Sequence, residues 1–128
     1  MLLGDNMKLY ESGQDYLEAI LVLSKKLNNV RSIDVANKMG VTKQSTHRAI
    51  KNLKENNYIS IDSNGYITLT EFGVIIANKI YEKHVIISKF LMSIGVPEAI
   101  ALEDACKLEH DLSEESFEAI KKIITTQE

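Results

Sequence analysis

The spacing of hydrophobic residues over the first part of the chain predicts three helices. Apolar side chains recur every three or four residues from Tyr10 to Leu27, as on one face of an amphipathic helix. A polar break follows, and Ser32 is placed to cap a short second helix that Gly40 ends. A third helix is expected to begin near Gln44 and to present mostly polar and basic side chains to solvent.

The pattern of apolar and polar positions changes after this third helix. The segments 58–62 and 66–70 alternate apolar and polar residues on either side of Ser63-Asn64-Gly65. This alternation around a turn sequence predicts two strands joined as a hairpin. Helical spacing then resumes and predicts three further helices, over 70–93, 97–111 and 113–126.

The order of these elements predicts the fold. Two short helices around a Gly-containing turn, preceded by a helix and followed by a hairpin, are typical of a winged helix-turn-helix. The predicted fold class is mainly α: an N-terminal winged helix-turn-helix DNA-binding domain with a two-stranded wing over residues 1–70, then a helical domain over residues 71–128. The alternative for the paired helices is any helical hairpin with a basic surface.

The distribution of charge favours DNA as a partner, despite a net charge of −3. From Lys25 to Lys54 the basic residues are accompanied by a single acid, Asp34, whereas acidic residues predominate after Pro97. The earlier region therefore predicts a basic surface for phosphates. The residues expected to contact DNA bases are Gln44, Ser45, Thr46 and Arg48, and those expected to contact phosphates are Thr42, Lys43, Lys51 and, on the wing, Asn64.

Composition argues against several other classes of protein. No apolar run approaches the roughly 20 residues of a membrane span, and the first residues lack the pattern of a signal peptide, so the sequence predicts a cytoplasmic protein. The single cysteine, Cys106, cannot form an internal disulfide. We find no Ser/His/Asp set, no phosphate-binding glycine loop and no His-Glu-x-x-His motif, which argues against an enzyme.

A candidate metal site lies in the helix predicted over 97–111. Cys106, Glu109 and His110 are spaced i, i+3 and i+4, so a thiol, a carboxylate and an imidazole converge on one helical face. A core thiol beside solvated acidic residues would show the same spacing. Three further candidate ligands lie on other helices: Asp15, Glu18 and His84. For the two carboxylates, the alternative is a pair of favourable acids in a first helical turn.

The order of elements, together with these residues, resembles the metal-dependent repressors typified by the diphtheria toxin repressor and the manganese transport regulator. The resemblance covers nearly the whole chain. It is carried by the helix-turn-helix and by Asp15-Tyr16-Leu17-Glu18, Leu69-Thr70-Glu71-Phe72-Gly73, Lys83-His84, Ile94-Gly95-Val96 and the run from Cys106 to Ser113. It implies a DNA-binding repressor of metal-homeostasis genes, whose second domain binds metal and forms a homodimer on a palindromic operator.

The resemblance also implies a set of metal ligands. The primary site would consist of Asp15, Cys106, Glu109 and His110, with a second position at Glu18 and His84. The chain combines two branches of the family, because Asp15 matches the manganese branch and Cys106 matches the iron branch. Such ligands suit Fe(II) or Mn(II), with Co(II) or Zn(II) also possible. The alternative function is a metal-independent winged-helix regulator that responds to a small molecule.

Overall fold

A computed structural model of the chain describes residues 11–127. Over these residues the elements are α1 (Glu11–Lys26), α2 (Ser32–Met39), α3 (Lys43–Glu55), β1 (Ile59–Ile61), β2 (Ile67–Leu69), α4 (Glu71–Ser93), α5 (Glu98–Asp111) and α6 (Glu114–Gln127). This order confirms the predicted mainly α fold with a two-stranded wing. Two compact units divide within α4, the first ending at Asn78 and the second beginning at Lys79. The domain boundary predicted after residue 70 stays a prediction.

The first unit has a core to which its three N-terminal helices and its hairpin all contribute. The buried apolar side chains include Leu17, Ile20, Val35, Ile50, Leu53, Ile59 and Ile67. Burying each side chain of this size stabilises the fold by roughly 1.5–3 kcal/mol. On α3 the buried Ile50 and Leu53 are three residues apart, so the opposite face of that helix is left to polar and basic side chains.

The two ends of α2 are capped in different ways. Its N-cap is Arg31, whose backbone N–H donates to Asp34 Oδ2 over 2.9 Å. The prediction that Ser32 caps this helix is therefore wrong, because Ser32 is already its first helical residue. At the other end Gly40 has a φ of 66°, a left-handed conformation that glycine adopts without strain.

The predicted hairpin forms the wing of the first unit. β1 and β2 are antiparallel, with Ser60 opposite Thr68. The turn between them is organised by Asp62, whose Oδ1 accepts from the backbone N–H groups of Asn64, at 2.8 Å, and Tyr66, at 3.0 Å. An aspartate that binds the backbone of its own turn in this way restricts the turn's conformation.

The start of α4 packs closely against the chain segment that precedes the wing. The Thr70 hydroxyl donates to the carbonyl oxygen of Asn57 over 2.7 Å and accepts from the Gly73 N–H over 3.0 Å. The Tyr58 ring stacks on Phe72 with 5.0 Å between ring centroids, and burial raises the pKa of Tyr58. A Cβ at position 73 would overlap the Tyr58 carbonyl oxygen, so this packing requires glycine there.

The second unit has a separate apolar core. Its buried side chains come from α4, α5 and α6, and are Ile86, Ile87, Ala105, Phe117 and Ile124. Two ion pairs join α4 to α6 at the surface: Lys83 Nζ lies 3.0 Å from Glu114, and Lys121 Nζ lies 2.9 Å from Glu82. Among the helices of residues 11–127, none has the length and apolar character needed to cross a membrane.

Candidate metal centre and DNA-binding surface

The third helix presents the surface that the sequence predicted for DNA. Its N-cap is Thr42, whose hydroxyl oxygen accepts from the Ser45 N–H over 3.0 Å. The exposed side chains that follow include Lys43, Gln44, Arg48 and Lys51. On the wing, Asn64 is also exposed. Their exposed side chains can donate hydrogen bonds to phosphates and base edges, and their contacts with DNA stay predictions.

The prediction that Thr46 contacts DNA bases disagrees with its burial. Its side chain is completely buried, and its hydroxyl donates to the Thr42 carbonyl oxygen over 3.0 Å. Thr46 lies four residues before the buried Ile50, so it belongs to the core face of α3 rather than to the face turned towards solvent. It therefore stabilises the helix and is removed from the predicted DNA contacts. Ser45 is half-buried, at the edge of the polar face.

Sequence reasoning missed one residue on this surface, His47. Its side chain is exposed and lies beside Lys43 and Arg48. The helical spacing could have identified it, because His47 follows Lys43 by four residues and precedes Lys51 by four.

The candidate metal ligands of the second unit come from two helices. His84 lies on α4, and Cys106, Glu109 and His110 lie on α5. One donor atom each from His84, Cys106 and Glu109 lie within 4.8 Å of one another. The individual distances are 3.8 Å from Cys106 Sγ to His84 Nδ1, and 3.5 Å from His84 Nδ1 to Glu109 Oε2. His110 lies on the other side of the carboxylate, with its Nε2 3.6 Å from Glu109 Oε1.

Glu109 is an unusual residue in this arrangement. It is only 3% exposed, and neither of its carboxylate oxygens has a hydrogen-bond partner. Buried polar atoms in folded proteins are nearly always hydrogen-bonded, so an exception of this kind requires an explanation. The neighbouring atoms include two imidazole nitrogens and, beyond one of them, a thiol sulfur. Nitrogen, sulfur and carboxylate oxygen together are ligands of divalent transition metals, and they fit such an ion.

Helical spacing alone does not predict which groups meet. It places Cys106, Glu109 and His110 on one face of α5, but the contact of Cys106 with His84 depends on how α4 and α5 pack. The α4 backbone at His84 is itself held, because the buried Ser88 hydroxyl donates to the His84 carbonyl oxygen over 2.7 Å. The family resemblance implies that His84 belongs to a second metal position with Glu18. In the structure His84 lies beside Cys106, a ligand of the predicted primary site.

The other two candidate ligands, Asp15 and Glu18, belong to the first unit. Both lie on α1, three residues apart, and both are half-buried. Because α1 begins at Glu11, neither is in the first four residues of the helix, where acids interact most strongly with the helix dipole. Their assignment to a metal stays a prediction.

Comparisons with known proteins agree with both parts of this description. Residues 8–66 match the N-terminal DNA-binding domain of iron-dependent repressors, and residues 70–127 match the metal-binding and dimerisation domain of the same proteins. The chain belongs to this family of metal-dependent, DNA-binding transcriptional regulators, as its resemblance to the diphtheria toxin repressor and the manganese transport regulator implied.

Individual relatives support the same assignment. An uncharacterized HTH-type transcriptional regulator of Methanocaldococcus jannaschii is 36% identical over 113 residues, which cover 87% of this chain and 90% of that protein. The transcriptional regulator MntR of Escherichia coli is 32% identical, over 84% of this chain and 69% of that protein. The solved structure of the manganese regulator SloR has a TM-score of 0.79 and 29% identity, and covers 88% of this chain. The chain spans about half the length of that structure, 53%.

Proposed function

We propose that this chain is a metal-activated transcriptional repressor that acts in the cytoplasm, as a homodimer, on a palindromic DNA operator, rather than as an enzyme. The observation that carries the proposal is the buried carboxylate of Glu109, which has no hydrogen bond and lies among imidazole and thiol groups. The exposed basic face of α3 supplies the DNA-binding half of the same function.

The residues proposed to hold the metal in the second unit are His84, Cys106, Glu109 and His110. Glu109 offers one oxygen towards His84 and the other towards His110, so a single buried carboxylate has an imidazole on each side. A bound divalent ion would supply a positive charge that balances the negative charge of this carboxylate. The resemblance adds Asp15 and Glu18 of α1 as further ligands, and we retain that assignment within the proposal.

The donor types limit the choice of metal. The Cys106 thiolate favours borderline-soft ions such as Fe(II), Co(II) and Zn(II), whereas the carboxylates also suit Mn(II). We propose Fe(II) or Mn(II) as the physiological ion, because geometry and availability in the cell decide among ions that a mixed site can bind.

DNA recognition is assigned to the solvent-facing side of α3. A symmetric dimer must present its two recognition helices about one DNA turn apart, ~34 Å, to contact both halves of a palindrome. Ligands on α4 and α5 restrict the relative movement of the helices that carry them. If metal and operator are coupled in this way, each must raise the affinity for the other by the same factor.

Operator binding with and without metal tests the proposal. The measurement is fluorescence anisotropy of DNA from the chain's own promoter region, under anaerobic conditions, with Fe(II), Mn(II), Zn(II) or a chelator. We expect tight binding with at least one ion and weak binding with chelator, and we expect Asp15→Asn to weaken the metal response. Equal operator affinity in all these conditions would contradict the proposal and would favour the metal-independent alternative.

A further inference from the structure

The first unit contains an open cleft on its DNA-binding side. It has a volume of about 780 Å³ and lies between the start of α2 and the exposed flank of α3. Its lining residues are Ser32, Ile33, Lys43, Gln44, His47 and Arg48. Two of the six are permanent cations, and none is acidic.

The exposed side chains of α3 point in different directions around the helix axis. With Thr46, Ile50 and Leu53 towards the core, the helical geometry of 100° per residue turns Gln44 and Arg48 most directly away from it. The same geometry places His47 on the side of the helix that borders the cleft, next to the start of α2. His47 is therefore positioned beside the centre of the recognition surface.

The chemistry of the cleft fits a sugar–phosphate backbone. Ile33 is 41% exposed, so it contributes an apolar surface to the same cleft as the cationic groups. A DNA strand alternates an anionic phosphate with a largely apolar deoxyribose. In helix-turn-helix proteins the first helix of the pair crosses this backbone while the second enters the major groove.

We propose that the backbone of one operator strand lies in this cleft, with His47 donating to a phosphate and Ile33 against a deoxyribose. This inference rests on the proposed function and extends it, because it assigns to His47 a role that the sequence analysis did not predict. His47 is then a contact that positions the protein on DNA without reading its sequence, in contrast to Gln44 and Arg48.

A set of substitutions at position 47 tests the inference. Binding is measured by anisotropy on the operator and on a scrambled duplex of equal length and composition, with saturating metal. We expect His47→Ala to weaken binding to both duplexes by the same factor, roughly three to ten, because one phosphate hydrogen bond is lost. His47→Lys should retain affinity, since it supplies another donor to phosphate, and His47→Glu should weaken binding more than His47→Ala.

Asn52→Glu is the matched control for His47→Glu. Asn52 is an exposed residue of the same helix and does not line the cleft, so the substitution places a carboxylate on α3 away from the proposed contact. We expect it to weaken binding much less than His47→Glu. Both residues are exposed, and unchanged thermal unfolding midpoints would show that the variants fold.

The outcomes separate this inference from the proposed function. Equal affinities for His47→Glu and Asn52→Glu would overturn the inference. So would a His47→Ala variant that binds the operator more weakly but the scrambled duplex normally, because that result would mean that His47 contacts a base. A wild-type protein that binds DNA equally with metal and with chelator would overturn the proposed function, while the comparison at position 47 would still decide the inference. A wild-type protein that binds neither duplex would overturn both.

Discussion

Each unit of this protein buries a polar side chain on the helix to which we assign its function, and the two side chains differ in their hydrogen bonding. In the first unit Thr46 is fully buried, and its hydroxyl donates to the Thr42 carbonyl oxygen of the same helix. In the second unit Glu109 is almost fully buried, and both of its oxygens lack a hydrogen bond. One helix completes its own hydrogen bonding, whereas the other leaves a carboxylate to be satisfied by something else.

The difference indicates what each unit requires. A buried group that is left unsatisfied costs more free energy than an average hydrogen bond contributes, and a carboxylate costs more than a hydroxyl. The DNA-binding unit has no such deficit at Thr46, so its stability does not depend on a ligand there. On the proposed function, the unbonded carboxylate of Glu109 should destabilise the metal-binding unit until a cation is supplied, so we expect the stability of that unit to respond to metal.

The largest expected effect is that Glu109→Gln greatly reduces the stabilisation of the protein by metal. At a metal concentration about 1,000 times the dissociation constant, binding stabilises the wild type by about 4 kcal/mol. The amide is a poor metal ligand, so the same metal concentration should stabilise the variant much less than the wild type, by about 1.4 kcal/mol if its affinity falls 100-fold. Without metal the variant should be more stable than the wild type, because an unsatisfied carboxylate has been replaced by a neutral group.

Glu103→Gln provides the matched control for that experiment. Glu103 lies on the same helix as Glu109 but is exposed, and the substitution makes the same chemical change. It should retain the metal-induced shift of the unfolding midpoint. If both variants keep the shift, Glu109 is not a ligand and the contrast between the two units has another origin.

The second prediction concerns the packing of the first unit. Gly73→Ala places a Cβ against the Tyr58 carbonyl oxygen, and overpacking of this kind costs about 3 kcal/mol. Urea unfolding gives the change in the free energy of unfolding. Gly40→Ala is the comparison, because a Cβ there meets no atom within 4 Å and only the left-handed φ is strained, which costs about 1 kcal/mol. Equal losses in the two variants would mean that the Tyr58 contact imposes no additional cost.

A smaller effect is expected from removing the buried hydroxyl of the first unit. Thr46→Val keeps the shape of the side chain and leaves the Thr42 carbonyl oxygen without this partner, which should cost about 1 kcal/mol. The loss should be the same with metal and with chelator, because Thr46 has no part in the metal site. A metal-dependent loss, measured by urea unfolding in both conditions, would weaken the contrast drawn between Thr46 and Glu109.

The smallest expected effect is a pH dependence at the surface of the second unit. The hydrogen bond and charge of Lys83 hold the pKa of Glu114 below its ordinary value. A carboxylate whose pKa is lower in the folded state stabilises the fold above its unfolded pKa, and this contribution disappears as the pH falls through the folded pKa. Glu114→Gln should therefore be slightly less stable than the wild type at neutral pH and equally stable in acid. A difference between their thermal midpoints that persists in acid would contradict this assignment.

The sequence predicted most of the exposed face of α3 because helical periodicity is a local property. The burial of Ile50 and Leu53 follows from their spacing, and so does the exposure of Lys43, Arg48 and Lys51. The same spacing also predicts that Thr46 is buried and that His47 is exposed. The hydroxyl of Thr46 does not require a solvent-facing position, because it can donate to a carbonyl oxygen of the preceding turn.

The candidate metal centre could be predicted only in part. The spacing of Cys106, Glu109 and His110 places three donors on one face of α5, but no local pattern shows that Glu109 is buried without a partner. Nor does spacing show that Cys106 Sγ lies 3.8 Å from His84 Nδ1, because His84 is 22 residues away on another helix. Those features depend on the packing of α4 against α5, and this packing is a property of the folded unit.

The most direct test of the central claim is an anaerobic titration with Co(II), followed by absorption spectroscopy. Cobalt bound by Cys106 should give a thiolate-to-metal charge-transfer band that is absent from Cys106→Ser. In Glu109→Gln we expect Co(II) affinity to fall by at least ~100-fold, because loss of a direct ligand should cost no less than loss of a residue that supports one. Glu103→Gln should bind as the wild type does. Unchanged Co(II) affinity in Glu109→Gln would contradict the claim that the buried carboxylate is there to bind metal.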